Sequence, residues 1–84
     1  MESYSHKYIA TAATTVVSSK DEGILHSIVV GTTAAATITI TDNTGTIGVL
    51  KASVVEGTYT FDVAYTGHLT VTTAGTPTVT VCYN

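Results

Sequence analysis

The residues of this chain whose types suit chemistry are few and scattered. Its imidazoles and thiol are His6, His26, His68 and Cys82, whereas zinc sites pair such ligands about two to five residues apart. None of the four keeps that spacing, so no metal site is assigned, and nothing points to a cofactor. His26, Ser27 and Asp62 supply the residue types of a base, a nucleophile and an acid. Ser27 lacks the G-x-S-x-G surroundings of a strained turn that exposes a serine. No catalytic residue is therefore assigned, and the chain is not expected to be an enzyme. Asp42-Asn43-Thr44-Gly45 opens like a calcium loop, but later acids do not follow at the offsets that would complete about six to eight oxygen ligands; it reads as a hairpin turn. Cys82 has no partner in the chain and reads as a reduced small side chain, with an intersubunit disulfide as the alternative.

These residues must be held by strands. Threonine fills 19 of the 84 positions and alternates with Val, Ile, Leu, Tyr or Phe, the period of a sheet with one apolar and one hydroxyl face. Turn chemistry recurs at Lys20-Asp21-Glu22-Gly23, Asp42-Asn43-Thr44-Gly45, Glu56-Gly57, Thr66-Gly67 and Ala74-Gly75-Thr76-Pro77, where Gly supplies positive φ and Asp or Asn bonds its own backbone. Strands are predicted at Tyr8 to Thr11, Thr14 to Ser19, Ile24 to Thr32, Thr37 to Thr41, Ile47 to Val54, Thr58 to Tyr65, Leu69 to Thr73 and Thr78 to Tyr83. In the sixth, Tyr59, Phe61, Val63 and Tyr65 form the expected core face. Alternation slips between Leu25 and Ile28, which predicts a β-bulge near His26 and Ser27. Ala34-Ala35-Ala36 is too short to nucleate a helix and is expected as a close-packed loop. The fold class is all-β: an antiparallel β-sandwich of seven or eight short strands, of jelly-roll or Greek-key type.

Six acids against three lysines and no arginine give a net charge of -3, which argues against nucleic acid as a partner. No apolar run approaches the length of a membrane helix and no export signal opens the chain. No membrane partner is expected, and the protein is expected in the cytoplasm of the cell that makes it. Charged residues make up 11% of the chain, far below the roughly 25% of ordinary soluble domains, as suits a surface covered by neighbours. A chain of this size gains about 120 kcal/mol from burial and gives up about 125 kcal/mol in ordering. The two nearly cancel, which predicts association with further copies, a trimer first.

Residues 1–7 show no sustained period and are expected as an N-terminal arm, with a single domain over residues 8–84. Tyr4 and Tyr8 are the tyrosines outside the predicted core faces. With His6 and Lys7 they are the expected contacts to a partner surface or a neighbouring subunit, since Tyr offers large contact area at low entropy cost, with packing of the two tyrosines against the domain as the alternative.

Five segments, taken in order, resemble a known class. They are Gly23-Ile24-Leu25-His26-Ser27-Ile28-Val29-Val30, Thr37-Ile38-Thr39-Ile40-Thr41-Asp42-Asn43-Thr44, Glu56-Gly57-Thr58-Tyr59-Thr60-Phe61-Asp62-Val63, Gly67-His68-Leu69-Thr70-Val71, and Thr76-Pro77-Thr78-Val79-Thr80-Val81-Cys82-Tyr83. Over residues 8–83 the chain is similar to small all-β virion proteins of tailed bacteriophages, the type that includes capsid cement or decoration proteins. The resemblance implies a non-enzymatic, oligomeric, often trimeric protein on the capsid surface of the virion, with the major capsid protein as its partner and the host cytoplasm as its place of assembly. The alternative is a small carbohydrate- or receptor-binding module of a phage tail or fibre; a groove lined by exposed Tyr beside Asp or Asn would favour it, whereas a flat trimer base with an ordered arm would favour the capsid protein.

Overall fold

The computed structural model describes residues 4–84; Met1 to Ser3, where the expected arm begins, lie outside the described residues. Eight strands and no helix form there: β1 (Ser5–Ile9), β2 (Thr14–Ser18), β3 (Glu22–Thr32), β4 (Ile38–Asp42), β5 (Gly45–Leu50), β6 (Gly57–Thr66), β7 (Leu69–Thr73) and β8 (Thr78–Tyr83). Sheet I has the order β1-β8-β3-β6 and sheet II the order β2-β7-β4-β5. Every pairing is antiparallel. The pairs β1·β8, β2·β7, β3·β6 and β4·β5 nest about the turn at Asn43 and Thr44, so the chain is one long hairpin folded over on itself. Pairs β3·β8 and β4·β7 then close each sheet.

Alternation places the core between the sheets. Leu25, Ile28, Val30, Tyr65, Val79 and Val81 point inward from sheet I, and Ile38, Ile40, Leu50, Leu69 and Val71 from sheet II, each at most 8% exposed. Thr73 is a buried exception whose hydroxyl is used: it donates to the Thr11 carbonyl at 2.7 Å, so the β1–β2 connection is tied to β7 by a satisfied polar group.

One corner is assembled from two turns. Asp42 Oδ1 accepts from the Thr44 backbone N–H at 2.9 Å and from its hydroxyl at 2.6 Å, the self-bonding that makes Asp a turn residue. Its Oδ2 accepts from Thr66 N–H at 3.0 Å, while Asn43 N–H donates to the Thr66 carbonyl at 2.8 Å. Gly67, at φ 70, brings its backbone so close that a Cβ there would lie 2.5 Å from Asn43 Cβ.

Several sequence expectations are revised. The first strand is not Tyr8 to Thr11 but Ser5–Ile9, so Ser5, His6 and Lys7, expected in an arm, are the edge strand of sheet I. Ladder bonds to β8 and the buried Ile9 side chain hold this segment, and five residues with one apolar anchor are too short to show a period. Glu22 and Gly23 belong to β3 rather than to a turn, and β5 stops at Leu50. Val63 is 38% exposed instead of buried, because β6 is an edge strand with an irregular backbone at Asp62. Ala34 to Ala36 form a loop, as expected, packed against Gly75.

Candidate functional site

The slip in alternation at His26 is a bulge with two sides. Against β8, Leu25 pairs with Tyr83 and Ser27 with Cys82, leaving His26 as the extra residue. Against β6, Leu25 pairs with Val63 and Ser27 with Thr60, so Phe61 and Asp62 stand opposite His26. Leu25 and Ile28 both point into the core, and the residues between them are turned to the outer face of sheet I. Asp62 adopts φ 49, a left-handed conformation that Asp tolerates better than most residues. Two backbone irregularities in adjacent strands thus aim side chains at one spot, the use bulges commonly serve beside functional sites.

His26 is the centre of that spot. Its Nδ1 lies 3.0 Å from Ser27 Oγ and its Nε2 3.7 Å from Asp62 Oδ1. Tyr4, which precedes β1, tilts its ring over the imidazole with centroids 4.6 Å apart and planes at 44°. Tyr4 is 46% exposed, and the His26 and Asp62 side chains 39% and 61%. The trio His26, Ser27 and Asp62 therefore does come together. Ser27, however, is buried at 3% exposure, with its hydroxyl against the imidazole. Its contact with the ring fixes the imidazole.

Beside this cluster is a shallow depression of about 340 Å³ lined by Glu22, Gly23, Ile24, Ala64, Tyr65, Thr66 and Asn84. Ile24 pairs with Ala64 two residues along from His26, about 7 Å at strand rise; the depression therefore lies next to the cluster along β3, and none of Tyr4, His26 and Asp62 is in its lining. Among the described residues, no group of three or more His, Cys, Asp or Glu is placed to hold a metal ion. His6 and Cys82 are register partners across β1 and β8. His68 is exposed in the β6–β7 connection.

Of the contact residues named from sequence, Tyr4, His6, Lys7 and Tyr8 are all exposed. Tyr4 joins the His26 cluster, while His6, Lys7 and Tyr8 run along β1 opposite Cys82, Val81 and Thr80. They line a sheet edge, not a projecting arm. The slip near His26 is visible in the sequence; Tyr4 reaching it across β8 is not.

The outer face of sheet II is of another kind. Register aligns Val16, Thr70, Thr41 and Thr46 in one row across the four strands, and Thr14, Thr72, Thr39 and Val49 in the next. All eight side chains are β-branched and none is charged. Val16 and Val49, on the edge strands β2 and β5, are each 54% exposed. The Thr14 and Thr72 hydroxyls meet at 3.2 Å. No protein-family model matches the chain, and no curated protein matches it in sequence.

Proposed function

We propose that this protein is a non-enzymatic structural component of a bacteriophage virion, a cement or decoration protein that binds the assembled capsid as a homotrimer. The observation that carries the reading is the uncharged two-by-four array of threonines and valines on sheet II, with its half-exposed valines at both edges. An ordered face with no charge to hold water is suited to burial against another protein surface. Its area, on the order of 300 Å² from strand spacing and rise, is well below the roughly 800 Å² per partner of a stable interface. A single copy would bind weakly, and joining copies multiplies the contact, which supports the trimer. The nested strand order supports a jelly-roll type of sandwich, an architecture shared by viral capsid and lectin domains; the order by itself does not choose a function.

The test is composition and occupancy of purified particles. Mass spectrometry of gradient-purified virions of the phage that encodes the chain should find it in amounts proportional to the major capsid protein, and a cryo-EM map should place it on the shell. Val16→Lys together with Val49→Lys should leave the circular dichroism spectrum unchanged and strip the protein from the particles. Absence from purified virions would sink the reading.

A further inference from the structure

We propose that the outer face of sheet I at the His26 bulge is a carbohydrate-binding site, taking one or two sugar rings between Tyr4, His26, Asp62 and the neighbouring depression whose lining includes Ile24 and Ala64. Sugars present two chemistries at once: a C–H face that packs on an aromatic ring, and hydroxyls that need directed acceptors and donors. Both are present here. The Tyr4 ring is nearly half exposed and is held by its contact with the imidazole, so its orientation is set before a ligand arrives. A carboxylate is an acceptor, and at 3.7 Å from His26 Nε2 the Asp62 contact is too long for a hydrogen bond. The Asp62 lone pairs remain for sugar hydroxyls, whose bonds to a carboxylate are among the stronger kind. His26, anchored through Nδ1 to Ser27, turns Nε2 toward the same place as a second polar group.

Size and charge narrow the ligand. About 340 Å³ lies at the low end of small-molecule sites, enough for a mono- or disaccharide. Glu22 and Asp62 disfavour phosphate or sulfate esters, and the apolar Ile24 and Ala64 side chains with the Tyr4 ring suit the C–H face of a neutral pyranose. Two backbone irregularities meet at this site: the His26 bulge and the positive φ of Asp62.

The site lies on the opposite face from the threonine array, so the two proposals fail separately. Full-length 15N-labelled protein would be titrated with neutral hexoses, N-acetylhexosamines and their disaccharides, following backbone amide shifts. At least one sugar should give saturable shifts confined to Tyr4, Glu22 to Ser27 and Asp62 to Thr66. Asp62→Asn keeps a residue tolerant of positive φ and removes only the charge; it and Tyr4→Ala should each weaken binding about tenfold or more while the remaining spectrum overlays. Val16→Lys with Val49→Lys should bind the sugar unchanged. No saturable shift with any sugar, shifts at another face, unchanged affinity in both site variants, or saturation of this face by a lysine-rich peptide instead would each overturn the proposal.

Discussion

The Tyr65 hydroxyl, carried by sheet I, lies 2.9 Å from the Ser18 hydroxyl of sheet II, inside the core. It is also 3.0 Å from the Asn84 carbonyl oxygen. A phenol has one proton and lone pairs to accept with; donating to the carbonyl and accepting from Ser18 satisfies all three groups. Tyr65 is fully buried and Ser18 is 7% exposed, so one side chain joins both sheets and the end of β8.

Tyr65→Phe should leave Ser18 and the Asn84 carbonyl without that partner and destabilise the protein by about 1–3 kcal/mol. The melting temperature should fall by about 4–8 °C for each kcal/mol lost. Calorimetry checks this, and a variant that melts like the parent would show that water replaces the phenol.

Gly48 on β5 faces Phe61 on β6: a Cβ at Gly48 would lie 2.9 Å from Phe61 Cε2. Gly48→Val should therefore displace the ring and cost about 1–3 kcal/mol as overpacking. Adding Phe61→Leu should recover part of that loss, a coupling that denaturant melts of the two single variants and the double variant would measure. Strict additivity would count against direct contact.

The corner at Asp42 should make stability sensitive to acid. The Thr44 hydroxyl, then the Thr66 N–H, hold the Asp42 carboxyl below its ordinary value of 3.8. A carboxylate with a depressed folded-state pKa contributes stability that is fully present above the unfolded-state value and is lost as pH falls through the folded one. Melting temperature should thus decline below about pH 4, and Asp42→Asn should lower it at neutral pH while flattening that decline. An unchanged acid profile in Asp42→Asn would assign the effect to other carboxyls.

Removing residues 1–7 should damage the fold as well as any docking. Ser5, His6 and Lys7 pair with Tyr83, Cys82 and Val81, and their loss exposes the outer edge of β8 and takes Tyr4 from the His26 cluster. The truncated chain should melt earlier and aggregate more readily, since a newly bared edge offers unpaired ladder groups. Light scattering during a thermal ramp would detect both changes. An arm independent of the domain would leave the melt unaltered.

Much of this protein was determined by its sequence alone. Period-two alternation in segments such as Ile38 to Thr41, Leu69 to Thr73 and Thr78 to Val81 specifies which side chains face inward, because a one-residue slip would expose the whole apolar set. The Asp42–Gly45 turn is equally local, since Asp42 and Thr44 bond each other within it, and the bulge at His26 is announced by two core positions three residues apart. Tertiary structure decided what depends on distant partners. β1 is a strand because β8 offers an open edge to it, Val63 is exposed because β6 has no neighbour beyond it, and the Tyr4, His26 and Asp62 side chains meet because β1, β3 and β6 share one sheet. Pairing of residues as far apart as Ser5 and Tyr83 follows from how the hairpin folds over on itself, and no local period records which edge of which sheet a strand will join.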